Sequence, residues 1–588
     1  MPPAHACDAC KRRKVKCDGI EPCANCRLSQ LQCRYSTHPN KRSRGGLRTA
    51  ERVPSHGSAL DATGGGVIRH TQTEPDTIIV SHLEQTATGT DQLSPPWLLS
   101  PGLELLADTS SAGAANSNVS FHYDAAQIHR ALLVVTGTPH APESILDVAH
   151  ECIDFFMQYL FPNTPIAHEP TLRDAAALLA ADGFSAVAGS SPCAVDTHHK
   201  MTHLRRFSLV TALCAFVTSV MPEAQLSRRA TLSKPFLAAS RAMLQVYEDH
   251  DLENPDSTSL TIRMWQSAAM QNTTGRVGTS YQYHAEAAFI AQRLRLHDES
   301  AVQQHTKLES QILRASFWLL YLADKTSIAL ETRPPILQGS FTDDELTLLD
   351  NGQQEEPFLD TSKPINRDAL ESRLFLGFHL KRRIWAAAAD LLLNLKSFSR
   401  NKGGEETLSG PGQKEKLTGL AEMYLSFTSL VDQLPMWLRN PDNTDPDSNN
   451  STDHTVAAYQ RLCFWTQRSN IMTVFHCMRL VILQRSVTLG IPSVVGLDGQ
   501  PMSCAIRKIE LVHDFLQELQ MVPFKCFKVQ GETAVERIRR VGIILLELVH
   551  NAESKTIEQV ARSQFKKLLD FLSKLDSKAS DKLAGTPA

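Results

Sequence analysis

Apolar residues recur at helical spacing in long blocks from about residue 145 onward. In the block 534–551, Ile538, Val541, Leu545, Leu548 and Val549 fall on one face of a 3.6-residue period, which predicts an amphipathic helix. Similar patterning predicts helices over 145–161, 205–220, 308–329, 369–395, 413–438, 456–487 and 506–519, separated by polar loops. No convincing series of alternating apolar and polar positions predicts strands. The expectation is a large all-α domain over 141–555, followed by a charged C-terminal helix and tail over 556–588. Phe317, Trp318, Tyr321 and Trp385 lie in segments that are apolar nearly all round, which predicts core positions rather than ligand contacts. The segments 343–360 and 440–453 read as acidic surface loops. His198, His199 and His203, near Cys193, read as a polar loop leading into a helix and not as a metal site, because two neighbouring histidines do not easily face one ion.

Upstream the texture changes. Residues 49–140 hold Pro54, glycines and serines in place of an apolar repeat, and read as a disordered linker. Within it, residues 70–129 carry no Lys or Arg and seven acids, with Ile78-Ile79-Val80, Trp97-Leu98-Leu99 and Leu105-Leu106 interspersed. Acidic and apolar residues mixed in this way suit a transactivation segment, and a plain solvated linker is the other reading. No stretch approaches the ~18 consecutive apolar residues of a membrane span. The N-terminal residues MPPAHACDACKRRK lack the apolar core of a signal peptide. The expectation is a soluble intracellular chain with no membrane partner.

Cysteine spacing supplies the chemistry. Six of the 13 cysteines fall between residues 7 and 33, as C-x2-C-x6-C-x5-C-x2-C-x6-C. Cys7, Cys10 and Cys17 form one half of an internal duplication, and Cys23, Cys26 and Cys33 the other. Thiolates at C-x2-C spacing hold zinc tetrahedrally. Six sulfurs are two too many for one zinc and two too few for two separate ones. Two ions need eight bonds, so two sulfurs must each bridge both metals, and the duplication suggests one bridging cysteine from each half. Asp8 is placed to cap a short helix carrying Lys11, Arg12, Arg13, Lys14 and Lys16, with Gly19 turning the chain after Cys17. Residues 1–48 hold eleven Lys and Arg against three acids. A small rigid module with that excess is an electrostatic footprint for DNA phosphate.

These residues resemble the fungal zinc binuclear cluster of the galactose-regulator type, and every spacing fits. The resemblance implies two Zn2+ ions held by Cys7, Cys10, Cys17, Cys23, Cys26 and Cys33, with Cys7 and Cys23 bridging. It implies a two-helix DNA-binding module whose first helix enters the major groove and reads a CGG-type half-site. Arg13 and Lys14 occupy the base-reading positions, and such donors suit guanine O6 and N7. Lys11, Arg12 and Lys16 are better placed for phosphates, as are Arg34, Lys41, Arg42 and Arg44. The coiled coil that usually follows the basic linker 34–48 is absent, so a homodimer would form elsewhere or the module would bind as a monomer. The stretches YLFPNTPIAHEPT (159–171), YQYHAEAAFIAQRLRLH (281–297), the Trp helix and Arg-Pro pair of 308–337, and LPMWLR (434–439) resemble the middle homology region of the same regulators. The usual triple Arg is reduced to Arg314, and Phe317-Trp318 replaces a double Trp.

The reading that follows is a nuclear, sequence-specific transcription factor of RNA polymerase II genes that engages the transcription machinery. Activation of a fungal metabolic pathway is expected, leaning to a secondary-metabolite gene cluster, with carbohydrate utilisation as the alternative. A zinc module that docks on protein without reading DNA is the reading from another class. No nucleophile elbow, P-loop, dinucleotide fingerprint or HExxH motif is present, and zinc closed by four sulfurs leaves no position open for catalysis. One consequence is measurable by binding assays on matched and scrambled duplexes. Lys14→Ala should lose roughly 1–3 kcal/mol and relax triplet preference, whereas a change at Lys41 should weaken all sequences about equally. Unchanged preference in Lys14→Ala would reverse the assignment of roles.

Overall fold

The computed structural model describes residues 7, 8, 10, 17, 20, 22, 23, 26, 27, 32–34, 117–137, 144–180, 194–226, 228–337, 356–367, 369–401, 411–444 and 451–575. The chain divides into two units, residues 1–91 and 92–588, each taken here by itself. The N-terminal unit is organised by its cysteines. The larger unit is helical, and no strand occurs among the described residues.

Its longer helices are α1 (Ser117–Thr136), α2 (Ile145–Phe155), α3 (Glu169–Ala176), α4 (Ala194–Val220), α5 (Arg229–Val246), α6 (Ser257–Thr274) and α7 (Val277–Arg293). They continue as α8 (Lys307–Leu330), α9 (Leu370–Asn401), α10 (Pro411–Ser429), α11 (Ser451–Thr488), α12 (Pro501–Met521), α13 (Glu532–His550) and α14 (Lys555–Leu572). Sequence-local devices set several ends. Ser144 and Asp147 form a capping box at the start of α2, each side chain bonding the other's backbone N–H at 3.1 Å. Asp256 caps α6, and Gly275 ends it at φ 62°, a left-handed conformation that glycine adopts without a Cβ penalty.

Packing falls into two halves. In the first, α4 is covered by α3, α5 and α6, with α1 on α5 and α7 on α6. In the second, α11 is covered by α9, α12 and α13, with α14 laid over α12 and α13. Helix α8 joins the halves by packing on α6 and α9. One continuous apolar core runs from Ala125 to Leu575. Phe317, Trp318, Tyr321 and Trp385 are all buried in it, as their apolar surroundings predicted. Burial of one such large side chain contributes on the order of 1.5–3 kcal/mol.

Buried polar groups fix the joints. Glu169, 2% exposed, accepts from Lys363 Nζ (2.5 Å), Arg173 Nη2 (2.7 Å) and the backbone N–H of Asp360 (3.1 Å). Burial alone would raise its pKa, but the two cations overcome that and hold it below the ordinary carboxylate value. Arg263, wholly buried in α6, donates to Asp251 at 2.6 Å.

Several expectations need correction. The helical body begins before residue 141: α1 starts at Ser117, and its Ala125, Ile128 and Leu132 are buried in the core. The predicted helix 145–161 leaves α-geometry at residue 156, where a π turn over Phe156–Leu160 brings the Phe161 N–H to the Phe156 carbonyl at 2.8 Å, just before Pro162. The predicted helix 413–438 stops at Ser429 and gives way to turns, and Pro435, which disfavours helix at Leu434, starts Met436–Arg439 as a separate helical turn. The loop 440–453 yields to α11 from Ser451, and Asp442 accepts the Trp465 indole N–H at 2.9 Å. The far end of 343–360 is not surface. Phe358 is fully buried and its backbone N–H, with that of Leu359, is held by the Glu371 carboxylate at 3.0 and 2.9 Å. The charged C-terminal helix forms as α14, whose apolar face buries Ile557, Ala561 and Leu568, with Gln564 donating to the Ile509 carbonyl at 3.0 Å. Of the acidic stretch 70–129, residues 70–116 lie outside the described residues, as does Cys193, and residues 117–129 fall in α1.

Gly377 tests the packing of α9 on α11. A Cβ there would stand 2.0 Å from Gln467 Oε1, and Gln467 is itself buried and bound to the Pro162 and Leu374 carbonyls at 2.6 and 2.7 Å. Gly377→Ala should therefore destabilise the helical unit by about 1–3 kcal/mol in chemical denaturation. An unchanged midpoint would mean that Gln467 has another place to go.

Candidate metal centre and nucleic-acid interface

Two short helical turns carry the ligands, one including Asp8 and Cys10 and the other Cys26 and Arg27. Asp8 lies inside its turn rather than capping it, and its backbone N–H donates to the Arg34 carbonyl at 2.9 Å, closing the module's two ends on each other. Cys7, Cys10, Cys23 and Cys26 are buried, and Cys17 and Cys33 are partly exposed.

The sulfurs gather into two quartets. Cys7, Cys10, Cys17 and Cys23 form one, and Cys7, Cys23, Cys26 and Cys33 the other, with all sulfurs of a quartet within 4.8 Å of one another. Cys7 and Cys23 belong to both, and their sulfurs are 3.8 Å apart. The Cys7–Cys26 and Cys10–Cys23 separations are each 3.5 Å. Sulfurs about 2.3 Å from a tetrahedral zinc stand roughly 3.8 Å from each other, so the set fits zinc. All six cysteines are unpaired by disulfides, which leaves each sulfur available as a ligand.

Backbone hydrogen bonds repeat the sequence duplication. The Cys10 N–H donates to Cys7 Sγ and the Cys26 N–H to Cys23 Sγ, both at 3.4 Å. The Cys7 N–H reaches Cys17 Sγ at 3.5 Å, and the Cys23 N–H reaches Cys33 Sγ at 3.3 Å. The two sulfurs common to both quartets thus each receive an N–H from the C-x2-C turn, and such donation favours the thiolate. The Cys10 N–H holds the Cys7 thiol down to about 6, whereas burial and the neighbouring sulfurs push Cys10 up to about 12. Crowded thiols do not ionise together without a cation to bind them. Spacing alone singled out the six cysteines; these N–H donors carry no sequence signal of their own, because they are backbone atoms.

Of the residues expected at DNA, Arg34 is described and exposed, and Arg27 is exposed on the second helical turn. Lys11, Arg12, Arg13, Lys14, Lys16, Lys41, Arg42 and Arg44 lie outside the described residues.

In the helical unit the motif stretches are structural joints. Asp324 on α8 accepts from the backbone N–H of Ile336 (2.8 Å) and of Leu337, folding the Arg-Pro loop back on its helix. Arg333 donates to Ser327 Oγ at 2.8 Å and lies over the Tyr281 ring, whose hydroxyl donates to the Pro334 carbonyl at 3.0 Å. Arg382 on α9 stacks 3.8 Å above Trp318. Arg314 pairs with Glu299. Helix α4 carries His199 and His203, and no metal-ligating cluster other than the cysteines occurs among the described residues.

Comparison with known proteins agrees with this geometry. Residues 5–43 match the fungal Zn(2)-Cys(6) binuclear cluster domain, and residues 153–429 match the fungal specific transcription factor domain. The fumonisin cluster-specific transcription factor of Gibberella moniliformis is 44% identical over 62 residues, 10% of this chain and 9% of that protein. The notoamide biosynthesis transcriptional activator of Aspergillus versicolor is 49% identical over 43 residues, 7% of each. A transcriptional regulatory protein of Schizosaccharomyces pombe is 47% identical over 38 residues, 6% of this chain and 5% of that one. The matched stretches thus span under a tenth of each relative's length. The pairing of the two domains is that of a transcription regulator with a zinc cluster and not that of an enzyme. The matched middle domain ends with α10, whereas the core continues through α11 to α14.

Zinc uptake should release protons, since Cys10 and Cys26 are held protonated by burial when no cation is bound. Apparent zinc affinity should therefore rise with pH and fall as acid restores the thiols. Competition with a chromophoric chelator across neutral pH checks this, and a pH-independent affinity would count against thiolate ligation.

Proposed function

We propose that this chain, which belongs to the fungal zinc binuclear cluster transcription factors, is a nuclear, sequence-specific regulator of RNA polymerase II genes whose module binds two zinc ions and reads CGG-type half-sites in double-stranded DNA. The observation that carries the reading is the pair of cysteine quartets sharing Cys7 and Cys23. Four sulfurs per ion and two held in common account for eight bonds from six cysteines. The site is closed, so in this reading zinc acts as a structural core for the module that carries the basic run 11–16.

In this reading Arg13 and Lys14 meet guanine edges, and Lys11, Arg12, Lys16, Arg34, Lys41, Arg42 and Arg44 meet phosphates. Residues 1–48 form the DNA-binding module with its basic linker, and the helical unit from α1 onward regulates it, with any homodimer contact supplied outside the linker. The acidic stretch 70–116 would engage the transcription machinery, making the protein an activator. Secondary-metabolite biosynthesis is the favoured pathway. It is supported by the likeness to a fumonisin cluster-specific factor and a notoamide biosynthesis activator. Carbohydrate utilisation is the alternative.

Two experiments test this. Residues 1–60, refolded with zinc and challenged with random duplex DNA, should enrich CGG triplets with strongly salt-dependent affinity. Salt-sensitive binding without any motif would favour a module that docks on other proteins. Zinc analysis should separate shared from unshared ligands. Cys33→Ser should keep about one zinc per chain, while Cys7→Ser or Cys23→Ser, each weakening both sites, should keep close to none. Equal loss in all three variants would remove the bridging assignment.

A further inference from the structure

Helix α11 carries a polar turn through the middle of the second half's core. Thr466, Gln467, Ser469 and Asn470 are at most 8% exposed, although apolar residues precede and follow them. Around this turn stand Asn163, Lys381, Gln530 and Arg537 from four other parts of the chain. Lys381 Nζ donates to the Asn163 carbonyl at 2.7 Å, and Asn163 Nδ2 donates to the Thr466 carbonyl at 3.3 Å. Gln530 donates to Ser469 Oγ at 2.7 Å, and its Oε1 accepts from Asn470 at 3.1 Å and from Arg537.

Two features of this cluster are unexplained by folding alone. Lys381 and Arg537 are each only 4% exposed, repel one another, and have no carboxylate acting on them among the described residues. The other buried arginines show the contrast: Arg263 is paired with Asp251 and Arg468 with Glu518. Second, three buried polar atoms of the cluster have no hydrogen-bond partner: Arg537 Nε, Asn163 Oδ1 and Gln467 Oε1. An uncompensated buried charge costs several kcal/mol, a cost that a lysine beside an arginine escapes by giving up its proton unless an anion meets it. Burial, with Arg537 nearby, pushes the Lys381 amine down to about 7, and a guanidinium remains charged at neutral pH. The cluster also adjoins the π turn over Phe156–Leu160, and turns of that kind recur at functional sites.

We propose that Lys381 and Arg537 form a buried binding site for one compact anion, a small molecule bearing a carboxylate or phosphate group, with Asn163 and Gln467 offering acceptors to its hydroxyl or amino hydrogens. The anion supplies the negative charge that the core lacks. Because Lys381 also holds the Asn163 carbonyl, uptake bears on the turn 161–164 and so on the joint between α2 and α11. The site stands independently of how the zinc module reads DNA.

The test is a thermal-melting titration of the full zinc-loaded chain at constant ionic strength, set with a bulky sulfonate salt, in rising sodium acetate and separately in rising inorganic phosphate. The midpoint should climb by roughly 1–3 °C at a tenfold excess over the dissociation constant for at least one of the two. A response to acetate alone assigns a carboxylate, to phosphate alone a phosphate, and to both the general class. Lys381→Met and Arg537→Met should each abolish the shift, and each melting curve reports whether the variant is folded. Absence of any anion-specific shift in the unaltered chain overturns the proposal whatever the variants do. So does a shift that survives in folded Lys381→Met.

Discussion

A helix buried on every side must find a partner for each polar group it takes into the core, and α11 places this demand on the larger unit. Its Gln467 binds the carbonyls of Pro162 and Leu374, which fixes the turn after α2 and one face of α9. Arg468 reaches Glu518 on α12 and the Leu438 carbonyl, and Ser469 and Asn470 hold Gln530 just before α13. A neutral hydrogen bond adds about 1 kcal/mol net, but leaving a buried group unpaired costs more than that. The polar turn therefore selects one arrangement of helices among the many that would bury equal apolar area. Gly377 belongs to the same constraint, since any side chain there would displace Gln467.

The N-terminal unit answers the opposite problem. Thirty-odd residues cannot bury enough apolar surface to fold, and metal–thiolate bonds take the place of a core. Among its described residues the buried cluster consists of the candidate ligands Cys7, Cys10, Cys23 and Cys26. The backbone N–H donors that repeat across the two halves show why the duplication works: each half brings one C-x2-C turn, whose first sulfur belongs to both quartets. The larger helical unit, by contrast, holds its recognisable motifs at joints. Asp324 and Arg333 tie a loop to α7 and α8, and Glu169 ties the start of α3 to the 358–366 segment.

Much of this was readable from residue order. Apolar spacing located eight helices, and the aromatic residues expected in the core are there. Helices α5 and α6 escaped because their patterns are blurred. Pro235 interrupts the first, and the second buries Arg263, Gln266 and Ser259 alongside its apolar residues, so polarity no longer separates inside from outside. Helix α1 escaped for another reason. It follows a low-complexity stretch, and its pairing with α5 is a contact between residues about a hundred positions apart.

By itself the sequence singled out the six cysteines as candidate zinc ligands and indicated the class of protein, because thiolate chemistry depends on residue type and spacing within a short span. It determined most helices, because their periodicity is local. Only the tertiary structure decided which sulfurs are held in common by geometry. It alone revealed that the family's Trp helix and Arg-Pro loop are joints, and that Lys381 and Arg537 are both buried around one polar turn of α11. These outcomes depend on contacts between distant residues, and no local pattern encodes them.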